Sequence, residues 1–230
     1  MSAPTNGEIP EIAGPRVEPQ SGGAPKHLVV LVHGFGADGN DLIGLAGPWA
    51  QAMPDTAFVA PNGPDPCAMS PFGRQWFPLT DRGAEQRREG VREAAPILNQ
   101  FIDQELDRYG LSETQLAMVG FSQGTMLSLH VGLRRTQPPA AIIGYSGMLT
   151  GTGYLADEVT VKPPVLLIHG SEDDVISVSA LDHATKALEG VGISVRTHVS
   201  EGIGHGVAPD GMKLGAEFLR DAFAEVSNNA

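Results

Sequence analysis

The amino-acid sequence predicts a single α/β domain in which helices cover both faces of a mostly parallel sheet. From residue 27 onward, short aliphatic segments alternate with longer amphipathic segments, and this alternation is typical of βα units. Most of the short segments are too apolar for a sheet with one face in water, so we expect both faces to be covered. The chain of 230 residues is long enough for one such domain with a substantial core.

Six segments are predicted to be strands, namely residues 27–32, 56–61, 115–120, 140–146, 164–170 and 194–200. Helical periodicity lies between them, at residues 41–52, 90–109, 123–135, 179–189 and 212–226. Gly110 and Gly190 stand where a glycine is expected to end a helix, and Pro96 is expected to kink the second helix or to mark its first turn.

Two segments depart from this alternation. Residues 1–25 contain five prolines, several glycines and few large apolar side chains. We therefore expect a flexible arm, either loose or draped over a domain of residues 26–230. Residues 61–88 are irregular and rich in proline and aromatic side chains, and a long ordered excursion of this kind usually belongs to a functional site.

The net charge and the cysteine content limit the partners and the cellular location that are expected for this protein. A formal net charge of −12, without a long run of like charges, argues against nucleic acid or an anionic membrane as the main partner, because phosphate binding needs a basic face. The single cysteine, Cys67, cannot form an intrachain disulfide, so the fold does not need an oxidising compartment. This favours a cytoplasmic location. No signal peptide is expected, and no aliphatic run is long enough for stable membrane insertion.

Residues 120–124, G-F-S-Q-G, match the G-x-S-x-G motif. In a chain with 29 glycines, this match by itself is weak evidence for a nucleophilic serine. A predicted strand leads into the motif and a predicted helix follows it, and this setting presents a strained, exposed serine hydroxyl above a sheet. Ser122 is therefore the predicted nucleophile, and the Gln123 amide at the helix N-terminus can donate to an oxyanion. The similar segment at residues 144–147 lacks the second glycine and the helix, so Ser146 is not favoured.

A nucleophilic serine needs a histidine base, which in turn needs a carboxylate to orient it. In hydrolases with this motif, the acid follows the serine and the histidine follows the acid. Glu172, Asp173 and Asp174 follow the strand predicted at residues 164–170, so one of them is the expected acid. His205 comes later, on a glycine-flanked loop between the last strand and the last helix, and is the predicted base.

Residues 34–39, G-F-G-A-D-G, match a competing motif that binds dinucleotides in oxidoreductases. An acidic residue should then end the second strand, but that strand ends at Asn62 and Asp55 precedes it, which counts against a nicotinamide cofactor. The same glycines could instead turn the backbone so that the Phe35 amide faces the oxyanion opposite Gln123. They could also form only a tight turn.

Four segments in this order resemble the phospholipase/carboxylesterase family, which includes acyl-protein thioesterases and bacterial carboxylesterases. They are L-V-H-G-F-G at residues 31–36, G-F-S-Q-G at 120–124, H-G-S-E-D-D-V-I at 169–176 and G-I-G-H-G at 202–206. The resemblance covers the chain from about residue 27 to its end.

The resemblance implies an α/β-hydrolase fold with no cofactor and no metal, in which Ser122, His205 and Asp173 form a catalytic triad. Asp173 is chosen over Asp174 because the family's acid lies four residues after the histidine of the His-Gly motif. The resemblance also places the oxyanion donors at Phe35 and Gln123. A homodimer is suggested by the family alone.

Residues 74–79, R-Q-W-F-P-L, are similar to the family's Trp-Phe segment beside the substrate pocket. The resemblance therefore suggests that Trp76 and Val175 line the acyl site, although a purely packed aromatic is an equal alternative for Trp76. Ser177 stands where family members usually carry a proline, which affects the expected shape of that loop.

The predicted function is a serine carboxylesterase that cleaves small-molecule esters, or thioesters, through an acyl-enzyme. Two alternatives remain at this point. One is a nicotinamide-dependent oxidoreductase that uses residues 34–39, and the other is a catalytically silent binding protein with the same fold.

Overall fold

A computed structural model describes residues 9–79 and 83–228. The strands within them are β1 (Arg16–Val17), β2 (His27–Val32), β3 (Thr56–Val59), β4 (Asp65–Pro66), β5 (Arg74–Gln75), β6 (Leu116–Phe121), β7 (Ala141–Tyr145), β8 (Val165–Gly170) and β9 (Val195–Ser200). The helices are α1 (Gly39–Ile43), α2 (Ala46–Ala52), α3 (Ala84–Tyr109), α4 (Gln123–Gly132), α5 (Leu155–Glu158), α6 (Ser179–Gly190) and α7 (Pro209–Asn228). Short 3₁₀ turns lie at Glu113–Gln115 and Thr152–Tyr154.

Seven of the strands form one sheet in the order β1-β3-β2-β6-β7-β8-β9. Strands β2, β3 and β6 to β9 are parallel, and β1 pairs antiparallel with β3 at the edge. Strands β4 and β5 form a separate antiparallel ribbon. The six predicted strands are all present, and the predicted mostly parallel sheet is confirmed.

Successive side chains along a strand point to opposite faces of the sheet, so apolar strands place apolar side chains on both faces. Helices cover both of these faces. In β2, Val29 and Leu31 join the core cluster of α2 and α7, whereas Leu28 and Val30 join that of α3 and α4. A third cluster packs α6 against β7 and β8. The loops after the parallel strands therefore gather at one edge of the sheet, which is where α/β folds place their sites.

The helices differ from the prediction in their boundaries. The segment predicted as one helix at residues 41–52 contains two helices: α1 ends before Gly44, and α2 begins at Ala46. Helix α3 begins at Ala84, earlier than predicted, since its first two turns lack the apolar stripe on which the prediction rested, and Pro96 lies inside it. No helix among residues 9–79 and 83–228 is both long enough and apolar enough to cross a membrane.

Two glycines were predicted to end helices, and one of these predictions is wrong. Gly110 ends α3 in the left-handed conformation, with φ of 66°, as predicted. Gly190 is still helical, and the left-handed residue after α6 is Gly192, with φ of 80°. Helix α6 therefore ends later than the position that Gly190 indicated.

Residues 9–25, in the segment for which an arm either loose or draped over the domain was predicted, lie on the domain. Strand β1 lies in this segment and pairs with β3. Arg16 also forms an ion pair with buried Glu105, and its Nε lies 3.0 Å from a carboxylate oxygen. Backbone pairing and a long-range ion pair, neither of which a composition reveals, hold the segment on the domain. Residues 1–8 lie outside the described part of the chain.

Replacing Arg16 with methionine tests whether this segment stabilises the domain. The Glu105 side chain is 2% exposed, and among the described residues its remaining ion-pair partner would be Arg108, whose Nε lies 3.3 Å away. We expect the free energy of unfolding to fall by about 3 kcal/mol in urea denaturation. Lys26→Met is the control, because it breaks an exposed pair with Asp55 and should cost less than about 1 kcal/mol. Equal losses in the two variants would contradict this role of Arg16.

Candidate active site

Ser122 lies in a sharp turn between β6 and α4, at the carboxyl edge of the sheet. Its φ of 53° and ψ of −112° form a conformation that is rare for residues other than glycine. A Cβ atom on Gly124 would lie 1.9 Å from the Val32 carbonyl oxygen, and one on Gly120 would lie 2.4 Å from the Gly124 oxygen. The two motif glycines are therefore required for α4 to approach β6 and β2 this closely.

Asp173 and His205 form a hydrogen-bonded pair on the loops after β8 and β9. Asp173 Oδ2 lies 2.8 Å from His205 Nδ1, and Asp173 Oδ1 accepts from the amides of Val175 at 3.0 Å and Ile176 at 2.8 Å. The other two candidate acids, Glu172 and Asp174, are exposed to solvent. Asp173 is thus the member of the acidic segment that reaches His205.

The Asp173 carboxylate is held in its ionised form. Burial alone would raise the pKa of Asp173, but the Ile176 amide, His205 and the Val175 amide outweigh burial and lower the pKa from its usual value. An ionised carboxylate only accepts hydrogen bonds, so Nδ1 of His205 must carry the proton in this pair. The other nitrogen, Nε2, is then free to act as a base.

His205 lies beside the turn that carries Ser122. The His205 ring and the Phe121 ring are 5.0 Å apart between centroids, and Phe121 is the residue directly before Ser122. Within the described residues, Ser122 Oγ forms no hydrogen bond with His205. Such bonds are often long in enzymes without substrate and shorten when substrate binds.

Among the backbone amides near Ser122 that have no acceptor within the described residues, two belong to residues predicted as oxyanion donors. One is the Gln123 amide, at the first position of α4, and the other is the Phe35 amide, in the loop after β2. Both belong to segments that meet at the close approach of Gly124 to the end of β2. An uncommitted N–H beside a candidate nucleophile is the feature that an oxyanion site requires.

His33 fixes the peptide that carries the Phe35 amide. Its Nε2 accepts from the Gly63 amide at 2.8 Å, so Nδ1 carries the proton and donates to the Gly34 carbonyl at 2.7 Å. The N–H of a trans peptide points opposite to its carbonyl, so holding the Gly34 carbonyl sets the direction of the Phe35 N–H. Burial lowers the pKa of His33, which keeps the ring neutral.

Trp76 and the Gln123 side chain connect the two amides through the segment that contains β5. The Trp76 indole N–H donates to the His33 carbonyl at 3.0 Å, and the Trp76 amide donates to Gln123 Oε1 at 2.9 Å. Gln123 Nε2 in turn donates to the Phe77 carbonyl at 2.8 Å. Trp76 is 2% exposed, so its indole supports the site from inside, and its expected place in an acyl site stays a prediction.

The contacts that His33 and His169 make near the candidate site were missed from the sequence. Each ends an aliphatic strand as His-Gly, which suggested only a turn. His169 is buried, and its Nε2 lies 2.8 Å from the Ile176 carbonyl and 3.2 Å from Asp173 Oδ2. The repeated His-Gly after a buried strand, on either side of the serine motif, marks both positions in the sequence but does not show which groups they contact.

The glycine motif at residues 34–39 bonds to its own chain. Asp38 caps α1, since its carboxylate accepts from the amides of Asn40 and Asp41. The Gly39 amide donates to the Asn62 side chain at 2.8 Å. The helix end that would face a pyrophosphate is therefore already occupied by a carboxylate. As for metals, the described residues contain no group of three or more histidine, cysteine or acidic side chains that could hold an ion.

Comparison with protein families gives a match over most of the chain. The model of the phospholipase/carboxylesterase family matches residues 13–222. This chain belongs to the phospholipase/carboxylesterase family. Together with the observed sheet, the match confirms the predicted α/β-hydrolase fold, and the prediction of a hydrolase is confirmed at the level of the family.

Individual relatives are similar over most of their length. Acyl-protein thioesterase 1 of Gibberella zeae is 28% identical over 211 residues, which cover 84% of this chain and 88% of that protein. Esterase YpfH of Escherichia coli K12 is 28% identical over 196 residues, which cover 85% and 82% of the two chains. The crystal structure of esterase PE8 is 43% identical, with a TM-score of 0.89 over 92% of this chain and 99% of that chain.

In this member of the phospholipase/carboxylesterase family, Gly124→Ala should prevent the close approach of α4 to β2. Because the added Cβ would meet backbone oxygen rather than a flexible side chain, we expect a loss of at least about 3 kcal/mol in the free energy of unfolding. Gly153→Ala is the control, since a Cβ there meets nothing within 4 Å. Thermal unfolding compares the two variants, and similar melting temperatures would contradict the packing described for Gly124.

Proposed function

We propose that this chain is a serine esterase that hydrolyses carboxylic esters and thioesters of small molecules through an acyl-enzyme. The observation that carries the proposal is the hydrogen-bonded pair of buried Asp173 and partly exposed His205 beside the strained turn of Ser122. Relatives named as an esterase and an acyl-protein thioesterase support the same class of reaction.

In this proposal His205 moves one proton in each half of the reaction. Its Nε2 removes the hydroxyl proton of Ser122 while Oγ forms a bond to the substrate carbonyl carbon, and the carbonyl electron pair moves to the oxygen. When that pair returns, the bond to the leaving alcohol or thiol breaks, and His205 gives the leaving group its proton. A water molecule then attacks the acyl group with the same help, which releases the carboxylic acid and restores Ser122.

Asp173 is the orienting acid of the proposed triad. Its Oδ2 accepts the Nδ1–H of His205, which keeps Nε2 free and favours the imidazolium that forms during each step. Two backbone amides hold its other oxygen, so the carboxylate has little freedom to turn away. The acid therefore fixes both the tautomer and the direction of the base.

The amides of Phe35 and Gln123 are the proposed oxyanion donors. Both are uncommitted within the described residues, and the Gln123 amide also lies at the positive end of the α4 dipole. His33, Trp76 and the Gln123 side chain hold the two peptides in a fixed relation. A donor of this kind typically contributes about 10² to 10³ in kcat.

Val175 is the proposed contact for the acyl chain. It is 52% exposed and lies two residues after Asp173, whereas Trp76 contributes through the oxyanion peptides. The homodimer and the cytoplasmic location expected from the sequence stay predictions.

The two alternative functions make different predictions. A nicotinamide-dependent oxidoreductase would bind the dinucleotide in calorimetry, and the Asp38 cap on α1 disfavours that binding. A silent binding protein would keep the fold and show no turnover of any ester. Direct binding and turnover measurements therefore separate the three functions.

Ser122→Ala removes the proposed nucleophile and should lower kcat for p-nitrophenyl acetate by about 10⁴-fold or more. The same variant should unfold within a few degrees of the native protein, because alanine keeps the Cβ atom and the same backbone conformation and the Ser122 side chain is only partly buried. Steady-state kinetics and calorimetry measure the two quantities. Turnover equal to that of the native protein would exclude Ser122 as nucleophile.

Asp173→Asn and Asp174→Asn form a matched pair of variants that tests the acid. Asparagine at position 173 cannot take the place of an ionised acceptor for the His205 Nδ1–H, so we expect kcat to fall by about 10³ to 10⁴. Asp174 is exposed, and its variant should keep kcat within about twofold of native. The reverse order of effects would assign the role to Asp174.

A further inference from the structure

Ser146, directly after β7, shares an unusual backbone conformation with Ser122. Among the described residues, these two serines are the non-glycine residues with positive φ, at 45° for Ser146 and 53° for Ser122. Glycine adopts this conformation without steric cost, whereas a side chain makes it unfavourable. A strained residue beside an active site is a reason to ask what its side chain does.

The neighbouring strands impose the conformation of Ser146. Its amide donates to the Ile168 carbonyl of β8 at 2.8 Å, and the preceding Tyr145 carbonyl accepts from the Ser122 amide at 2.9 Å. On the other side, a Cβ atom on Gly147 would lie 2.3 Å from Thr125 Cβ, so the chain passes close to α4. Ser146 thus stands at a turn that is fixed from both sides.

The Ser146 side chain contacts the loop that carries His205. Ser146 is fully buried, and its Oγ–H donates to the Gly206 carbonyl at 3.2 Å. Gly206 follows His205 directly, so this bond holds the chain on the C-terminal side of the proposed base. The bond connects the end of β7 to the loop between β9 and α7.

The N-terminal side of the same loop is held by the segment after β8. The Glu172 amide donates to the Ile203 carbonyl at 2.9 Å, and a Cβ on Gly170 would lie 2.2 Å from that oxygen. Residues 202–206 include three glycines, which give a loop no rigidity of its own. The position of His205 therefore depends on bonds from outside the loop, and these are made both before and after it in the chain.

We propose that Ser146 is a positioning residue, whose hydroxyl fixes the loop of His205 so that the imidazole stays paired with Asp173. The inference rests on the proposed function, because it assigns Ser146 to the support of the proposed base. Ser146 touches neither substrate nor reacting atoms, and it acts only through the Gly206 carbonyl.

Ser146→Ala and Ser146→Gly separate the hydroxyl from the backbone strain. Both variants remove the hydroxyl, but only glycine also relieves the unfavourable φ, so Ser146→Gly should be the more stable of the two. The control is Ser128→Ala, because Ser128 is also fully buried and its hydroxyl has no partner among the described residues. Ser146→Gly keeps the test valid if the alanine variant does not fold.

The first readout is the steady-state hydrolysis of p-nitrophenyl acetate. If the hydroxyl positions His205, kcat should fall about tenfold in both Ser146 variants, with KM within about twofold of native, since a small displacement of a reacting group has effects of this size. Ser128→Ala should keep the native kcat. A native kcat in Ser146→Gly would overturn the proposal, because activity would then follow backbone strain rather than the hydroxyl.

The second readout does not depend on turnover. The hydrogen-bonded Nδ1 proton of His205 should give a downfield NMR signal, which is assigned by its loss in His205→Ala. We expect this signal to broaden through solvent exchange in both Ser146 variants and to stay sharp in Ser128→Ala. An unchanged signal in the Ser146 variants would overturn the positioning role. Absence of ester hydrolysis by the native protein, with the signal still sensitive to Ser146, would instead refute the proposed esterase function alone.

Discussion

The close approach of α4 to the ends of β6 and β2 is the constraint on which the rest of the site depends. Only glycine at positions 120 and 124 permits that approach, because any Cβ would meet backbone atoms. The positive φ of Ser122 costs on the order of 1–3 kcal/mol, which the surrounding hydrogen bonds offset. Thr125 Oγ1 is one source of them, since it lies 2.9 Å from the carbonyls of both Gly120 and Tyr145. The packing at the carboxyl edge of the sheet thus holds the strained Ser122 in place.

The same approach brings together peptides that are distant in sequence. The loop after β2 carries the Phe35 amide, and α4 carries the Gln123 amide, so their relative position is set by the packing of two elements rather than by one loop. His33, Trp76 and Gln123 add buried hydrogen bonds between uncharged groups. Loss of one partner would leave a buried polar group unsatisfied at about 1–3 kcal/mol, which makes the arrangement rigid. The charge at the centre belongs to Asp173, whose two oxygens are bonded to neighbouring donors.

The fold was predictable because its signals are local. Aliphatic runs mark the strands, and the strand–turn–helix setting around residues 120–124 identifies the serine turn without any long-range information. The choice among Glu172, Asp173 and Asp174 was not local, because it depends on which carboxylate turns inward to His205. Only the family resemblance selected Asp173 in advance. Composition could not choose between a loose and a draped arm at residues 9–25, since an average over prolines and glycines does not show that Arg16 contacts a buried partner 89 positions away.

The roles of His33, Trp76 and Ser146 could not be derived from the sequence for a related reason. Each acts through hydrogen bonds to segments remote in the chain, and a single sequence contains no periodic signal for such contacts. The sequence indicates Ser146 only as a less favoured nucleophile, whereas in the structure its hydroxyl donates to the Gly206 carbonyl in the loop of His205. His33 and Ser146 lie near the Ser122 turn because β2 and β7 flank β6 in the sheet, and no sequence motif shows that adjacency.

Covalent labelling with a fluorophosphonate probe tests most directly whether the strained serine turn and the histidine pair work together, because the probe reacts with an activated serine and not with an ordinary one. The native protein should take up one probe molecule, and mass spectrometry of the digested product should place it on Ser122. No labelling would show that the geometry is catalytically silent. Labelling at another serine would show that the nucleophile lies elsewhere.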